Sequence, residues 1–184
     1  MNWTKQIPNA LTTLRLVLTV PICILILEKD FSIVLWIAAI AGFTDWLDGW
    51  LARRLDAMSR YGAVIDPVCD KVMLIGIFVS VWMVGLVPWW LAFIVVVRDF
   101  IIVSGALVYH WLYGRYEMDP SIWGKLSTFV QIVAVLVILG QQVYPVLPEQ
   151  ALQAGWLIVV IMAFISAGHY VYVWGGKAIQ NKSV

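Results

Sequence analysis

Four aspartates, Asp45, Asp48, Asp66 and Asp70, lie close together in a chain that is otherwise strongly apolar. The chain has 184 residues, of which 62% are hydrophobic and 12% are charged. An unpaired carboxylate is costly in apolar surroundings, so these side chains need cationic partners. Carboxylate oxygens without histidine or cysteine ligands favour a hard divalent ion such as Mg²⁺ or Mn²⁺. Two such ions would neutralise the four acids and suit phosphoryl chemistry.

The spacing of these aspartates predicts that they lie on one side of each of two helices. Two sets of residues have helical spacing: Asp45, Asp48, Gly49, Ala52 and Arg53 in the first, and Gly62, Asp66 and Asp70 in the second. Counted back from the polar turn between the helices, Asp48 lies about 9 Å and Asp45 about 13 Å along the first helix. Counted forward from the same turn, Asp66 lies about 6 Å and Asp70 about 12 Å along the second. We therefore expect the four carboxylates to converge at one level.

Apolar runs of membrane-spanning length recur along the chain and would position these residues. They predict spans near residues 11–28, 31–53, 62–84, 88–112, 122–143 and 151–174. Basic residues concentrate at the span ends that lie on the same side of the membrane as the N-terminus. This bias predicts that both termini are in the cytoplasm. The first 15 residues are expected to form a short interfacial helix, with Trp3 and Lys5 at the headgroup level. The predicted fold is an all-α integral membrane protein, with six transmembrane helices in a single domain covering residues 1–184.

Two other interpretations of the acidic segment stay open at this point. Acids inside a membrane often serve ion pathways, so a small cation or proton transporter is an alternative. A transporter is expected to carry acids deep in several spans, whereas here they cluster at one end of two. Small residues on a helix face often mark close helix packing instead of a substrate site. We interpret five other glycines as close helix contacts or helix ends: Gly105, Gly124, Gly140, Gly155 and Gly168.

The complete pattern resembles the signature of the CDP-alcohol phosphotransferase family. It reads Asp45-x2-Asp48-Gly49-x2-Ala52-Arg53-x8-Gly62-x3-Asp66-x3-Asp70 and matches at every specified position. The resemblance extends from IPNALTTLR to the fifth span. It implies six transmembrane helices, a site facing the cytoplasm and a homodimer. It also implies transfer of a phosphatidyl or related group from a CDP-linked donor to an alcohol, with release of CMP.

The resemblance further implies roles for individual residues. The metal ligands, for two Mg²⁺ or Mn²⁺ ions, would be Asp45, Asp48, Asp66 and Asp70. Asp70 would also be the general base that takes the proton of the attacking hydroxyl. The residues lining the cytidine and diphosphate of the donor would be Asn9, Gly49, Ala52, Arg53 and Gly62.

Three cations are candidates to bind the acceptor. Arg98 and Lys125 could hold its phosphodiester, with Arg60 at the mouth of the pocket. A structural alternative stays equally open for two of them. Arg98 could pair with a buried carboxylate, and Lys125 could extend to the membrane interface.

The choice of acceptor alcohol depends on fewer residues. The chain is most similar to the cardiolipin synthases of this fold in two segments, ILEKDFSIVLWIAAIAGFTDWLDGWLARR and VRDFIIVSGALVYHW. Phosphatidylglycerophosphate synthases, the alternative branch, typically carry a second arginine about one and a half to two helical turns after an Arg-Glu pair. That arginine helps to hold a dianionic phosphate. Here Ala106 lies near the corresponding position, after Arg98 and Asp99.

We therefore expect transfer from CDP-diacylglycerol to phosphatidylglycerol, giving cardiolipin and CMP. Transfer to glycerol 3-phosphate is the alternative within the family. The resemblance implies a bacterial or mitochondrial inner membrane, with the site on the cytoplasmic or matrix side.

Overall fold

The computed structural model describes the backbone of residues 7–42, 62–113 and 121–181, and the side chains of residues 16–42, 70–105 and 121–172. Within these ranges the secondary structure is helical, without a strand. The helices are α1 (Ile7–Leu27), the described part of α2 (Phe31–Gly42), α3 (Gly62–Met83), α4 (Trp89–Tyr113), α5 (Ile122–Val143) and α6 (Glu149–Asn181). The all-α class is confirmed.

The N-terminal interfacial helix is tested only in part. Residues 7–15 belong to α1, which continues without a break into the first apolar segment. Residues 1–6, with Trp3 and Lys5, lie outside the described residues.

Helices α1 and α3 end in the same way, with one residue in the left-handed conformation. This residue is Lys29 after α1, with φ 65°, and Gly85 after α3, with φ 81°. After α1, the Lys29 N–H donates to the carbonyl of Ile26 at 3.0 Å, and the Asp30 N–H donates to that of Leu25 at 2.9 Å. This pair of bonds is the Schellman motif, which satisfies the last carbonyls of a helix.

The chain forms two compact units, Met1–Val87 with Leu139–Pro145, and Pro88–Ile138 with Val146–Val184. The single domain over residues 1–184 stays a prediction. In the first unit α1 packs against α3, and the helices approach closely at Gly76. A methyl group on Gly76 would lie 3.2 Å from Cys23 Sγ and 3.4 Å from Thr19 Cγ2. The buried apolar residues of these two helices are Ile22, Ile26, Leu74, Phe78 and Val81.

In the second unit α4 packs against α6. The buried apolar residues of these two helices are Leu91, Ala92, Val95, Val159 and Ala163. On the part of α5 that belongs to this unit, the buried apolar residues are Val135 and Ile138.

Much of the outward surface of the described helices is apolar. Two segments, Ile122–Val143 and Glu149–Tyr172, are long and apolar enough to cross a membrane, and only 28% and 17% of an apolar stretch of 18 residues within each is buried. Phe129 and Phe164, one on each, are 63% and 65% exposed. A water-soluble protein does not expose contiguous apolar surface on this scale, whereas lipid accommodates it. The chain is therefore a membrane protein, and the six crossings and their orientation stay predictions.

Candidate active site

Helix α3 carries the described half of the acidic pattern. It begins at Gly62 and runs unbroken through Asp66 and Asp70, so these three positions lie on one face of a helix. Asp70 is half-buried. Two carboxylates one turn apart offer only oxygen ligands, which suits a hard divalent ion. The donor chemistry of α3 thus fits the implied cofactor.

The remainder of the predicted metal and donor site is not described. Six predicted residues lie outside the described residues: Asp45, Asp48, Gly49, Ala52, Arg53 and Arg60. Asn9 lies in the first turn of α1, and the side chains of Asn9 and Asp66 belong to the part that is not described. Among the side chains that are, no group of three or more histidine, cysteine, aspartate or glutamate residues could hold a metal ion. The convergence of four carboxylates stays a prediction.

In the second unit, Arg98 of α4 is the centre of a buried polar cluster. Its side chain is 3% exposed and forms an ion pair with Asp99, which is fully buried. Its Nη2 donates to Ser166 Oγ on α6 and, at 3.5 Å, to the carbonyl of Gly124 on α5. One guanidinium therefore connects three helices. The alternative that Arg98 pairs with a buried carboxylate is confirmed, and its Nε has no hydrogen-bond partner in the described structure.

The first turn of α5 is fixed from several sides at Gly124. Ser121 caps the helix, because its Oγ accepts a hydrogen bond from the Gly124 N–H at 3.0 Å. The Gly124 carbonyl also accepts from Thr128 Oγ1 at 3.1 Å. A methyl group on Gly124 would lie 3.0 Å from Cε2 of Tyr170 on α6. Lys125 follows directly, with an exposed side chain on a turn that α4 and α6 both hold in place.

Sequence reasoning gave no role to three other buried polar residues of this unit, Ser127, Gln131 and Ser166. Each has a relative exposure of 0%. Ser127 and Gln131 stand at i and i+4 in a run that is otherwise largely apolar. A pair of polar residues at helical spacing inside an apolar span is the signal that would have singled them out.

The similarity to known proteins extends over both the aspartates of α3 and the Arg98 cluster. The CDP-alcohol phosphatidyltransferase family matches residues 5–170. A human cardiolipin synthase (CMP-forming) is 30% identical over 194 residues, covering 97% of this chain and 64% of the human protein. A Drosophila melanogaster protein named as a probable cardiolipin synthase (CMP-forming) is 32% identical over 181 residues, covering 90% of this chain and 56% of that protein. A Mycobacterium tuberculosis protein named as a probable phosphatidylglycerophosphate synthase is 36% identical over 138 residues, covering 71% of this chain and 64% of that protein.

The chain thus spans less than two thirds of the length of each of these three relatives. The family match, in contrast, includes nearly all of this chain, with the complete aspartate pattern and the residues around Arg98. From this match, the chain belongs to the CDP-alcohol phosphatidyltransferase family of enzymes.

Proposed function

We propose that this protein is a cardiolipin synthase, which transfers the phosphatidyl group of CDP-diacylglycerol to phosphatidylglycerol and releases CMP. The observation that carries this proposal is the extent of the similarity to the proteins named as cardiolipin synthases, 90% and 97% of the chain for the two relatives above. The residues after Arg98 and Asp99 support the same acceptor. Where phosphatidylglycerophosphate synthases carry a second arginine, α4 reads SGALVY (residues 104–109) and has no cation that could hold a dianionic phosphate.

In the proposed reaction Asp70 accepts the proton of a phosphatidylglycerol hydroxyl. The hydroxyl oxygen then forms a bond to the phosphorus that carries the diacylglycerol, the bond from that phosphorus to the CMP oxygen breaks, and CMP leaves. Arg53 supports the charge that develops on the diphosphate. The small residues Gly49, Ala52 and Gly62, together with Asn9, leave room for the cytidine and the diphosphate.

The proposed cofactor is a pair of divalent ions, Mg²⁺ or Mn²⁺. Divalent ions are the usual cofactors of the family, and the ligands here would be Asp45, Asp48, Asp66 and Asp70. When bound, the ions would neutralise these carboxylates and polarise the diphosphate oxygens.

The acceptor phosphodiester would be bound by cations. Lys125 and Arg60 are candidates through their ammonium and guanidinium groups, and Arg98 through its Nε. Lys125 is supported by its exposed side chain on the fixed first turn of α5. We further propose six membrane crossings, cytoplasmic termini, a site on the cytoplasmic or matrix side of an inner membrane, and a homodimer.

The second candidate within the family is phosphatidylglycerophosphate synthase, with glycerol 3-phosphate as acceptor. The observation that favours it is the 36% identity to the mycobacterial protein of that name, over a shorter part of this chain. A cation or proton transporter is the candidate from another class. It is disfavoured because the acids cluster at one end of two predicted spans.

A CMP-release assay on the purified protein tests the proposal. CDP-diacylglycerol would be supplied with phosphatidylglycerol in one reaction and with glycerol 3-phosphate in another. We expect CMP release and a cardiolipin product with phosphatidylglycerol. Turnover with glycerol 3-phosphate alone would identify the second candidate, and no CMP release with either acceptor would contradict both.

A further inference from the structure

Helices α1 and α3 of the first compact unit are in close contact at Gly76. A methyl group on Gly76 would lie 3.2 Å from Cys23 Sγ and 3.4 Å from Thr19 Cγ2. The contact therefore identifies the face of α1 that packs on α3. Arg15 stands one turn before Thr19 on that face, because Arg15, Thr19 and Cys23 follow one another at intervals of four residues.

The same contact gives the levels of residues along the two helices. Only residues 28–30 separate α1 from α2, so the chain reverses there, and the predicted span over residues 31–53 brings it back. We therefore expect α1 and α3 to run in the same direction. From the contact, Asp70 lies about 9 Å back along α3, and Arg15 lies about 9 Å back from the midpoint of Thr19 and Cys23. Arg15 and Asp70 are thus at one level of the helix pair.

Asn9, which we propose to line the donor, has a matching level on α1. Counted back from the contact, Asn9 lies about 18 Å along α1 and Asp66 about 15 Å along α3. The first turns of α1 therefore accompany the part of α3 that carries Asp66 and Asp70. All of these residues belong to the first compact unit.

An arginine at the position of Arg15 needs an anionic partner. Arg15 lies about 12 Å along α1 from its first residue, Ile7, and within the predicted span over residues 11–28. A guanidinium keeps its charge in a protein, and an unpaired charge inside a membrane is costly. Helices that pack closely are about 8 Å apart between their axes, a separation that an arginine side chain can span. The anion is therefore to be sought beside α3, at the level of Asp70.

The charges of the proposed donor site leave a place for one more cation. The four aspartates carry four negative charges, which two divalent ions neutralise. The diphosphate of CDP-diacylglycerol then adds two negative charges, and Arg53 balances one of them. We propose that Arg15 balances the second by binding the diphosphate of the donor, an inference that rests on the proposed phosphatidyltransferase function. A guanidinium suits this ligand because it can donate two parallel hydrogen bonds to phosphate oxygens.

The first test is the KM of each substrate in Arg15→Gln, with Lys29→Gln as a matched control. Lys29 is an exposed cation just beyond the other end of α1. For Arg15→Gln we expect the KM of CDP-diacylglycerol to rise about tenfold or more, because charge-assisted hydrogen bonds are lost. The KM of the acceptor, and both values in Lys29→Gln, should stay unchanged. Arg15→Lys keeps the charge without the forked geometry and should raise the donor KM less.

Three results of this experiment would overturn the inference. The first is an unchanged donor KM in Arg15→Gln. The second is a rise confined to the acceptor KM, which would assign Arg15 to the acceptor. The third is a lower kcat with both KM values unchanged, which would make Arg15 a partner of Asp70 instead. Each of them leaves the proposed reaction intact, whereas an absence of CMP release from the wild type would contradict that reaction.

The second test measures binding and does not depend on turnover. CDP-diacylglycerol, added with Mg²⁺ and without an acceptor, should raise the Tm of the wild type in detergent. The concentration that gives half of this rise should be about tenfold higher in Arg15→Gln and unchanged in Lys29→Gln. Arg15→Lys, the milder variant if Arg15→Gln does not fold, should give a smaller increase. Equal concentrations in the wild type and the Arg15 variants would overturn the inference.

Discussion

The guanidinium of Arg98 donates a hydrogen bond from Nη2 to the carbonyl of Gly124, 3.5 Å away, and so joins the middle of α4 to the first turn of α5. The same group pairs with Asp99 and donates to Ser166. Because the side chain is 3% exposed, it is desolvated at the point where three helices meet. Lys125, a proposed acceptor ligand, directly follows the residue that Arg98 holds.

The main expected effect of removing Arg98 is therefore a lower stability of the fold, and not an effect on substrate binding alone. Arg98→Met deletes the cation that pairs with the buried Asp99, and breaking a buried pair on one side costs about 3–5 kcal/mol. Arg98→Lys keeps the charge but not the forked geometry, so an intermediate loss is expected. Thermal unfolding in detergent would measure both.

The matched control is Lys125→Met, which removes an exposed cation from the neighbouring helix and should leave the Tm nearly unchanged. A Tm of Arg98→Met equal to that of the wild type would show that the buried cluster contributes nothing to folding.

The contact between Gly124 and Tyr170 gives a prediction about packing. An added methyl group would lie 3.0 Å from Tyr170 Cε2 and 3.3 Å from Ser121 Oγ, which caps the helix. Overpacking of this kind costs about 1–3 kcal/mol, more than the gain of about 1 kcal/mol that alanine brings to a helix interior. We expect Gly124→Ala to lower the Tm.

Gly140→Ala on the same helix provides the control for this substitution. A methyl group there meets nothing within 4 Å, so the Tm should stay constant or rise slightly. Equal Tm changes in the two variants would mean that α6 does not pack closely on Gly124.

Lys29 offers a stabilising substitution. Its backbone is in the left-handed conformation at the end of α1, as that of Gly85 is at the end of α3. A residue with a Cβ atom pays a steric penalty there that glycine avoids, and this gain exceeds the entropic cost of glycine. We expect Lys29→Gly to raise the free energy of unfolding by roughly 1 kcal/mol, measured as a higher Tm.

Lys29→Ala, which keeps the Cβ atom, controls for the loss of the charge and should bring no such gain. Gly85→Ala should lower the Tm for the same steric reason. A fall in Tm for Lys29→Gly would contradict this assignment of the helix end.

Asp70 gives a prediction about catalysis. Asp70→Asn keeps the shape of the side chain but removes its ability to accept a proton, so CMP release should fall at least about a hundredfold. Binding of CDP-diacylglycerol, followed as a shift in Tm, should persist. Asp30→Asn, at an exposed carboxylate between α1 and α2, is the control and should retain full activity. Wild-type rates in Asp70→Asn would exclude Asp70 as the general base.

The helices could be predicted from sequence because a long apolar run in lipid must satisfy its backbone internally. For α5 the predicted span of 122–143 has the observed bounds, and for α3 the end differs by one residue. The ends of α6 were less predictable. Hydropathy shows which residues suit lipid, whereas a helix can continue its backbone hydrogen bonds beyond the apolar stretch. That helix runs to Asn181, beyond the predicted boundary at 174.

The acidic face of α3 was predictable because it depends on local spacing along one helix. The Arg98 cluster was not, since Arg98 lies 26 residues from Gly124 and 68 residues from Ser166. No spacing rule connects residues that meet only through the packing of three helices. The interpretation of glycines as close helix contacts or helix ends is confirmed at Gly124, in the first turn of α5, whereas at Gly140, Gly155 and Gly168 a methyl group would meet nothing within 4 Å. Whether a glycine makes a close contact depends on which residues of other helices lie next to it, and the sequence does not reveal these residues.

The four aspartates are proposed to hold divalent ions for phosphatidyl transfer, and the metal dependence of CMP release tests this proposal most directly. CMP release from CDP-diacylglycerol and phosphatidylglycerol would be measured on purified protein after exhaustive chelation, and again after addition of Mg²⁺ or Mn²⁺. We predict that chelation abolishes CMP release, that either ion restores it, and that Asp66→Asn requires a higher ion concentration for half-maximal rate. Undiminished CMP release from the chelated protein would contradict the claim.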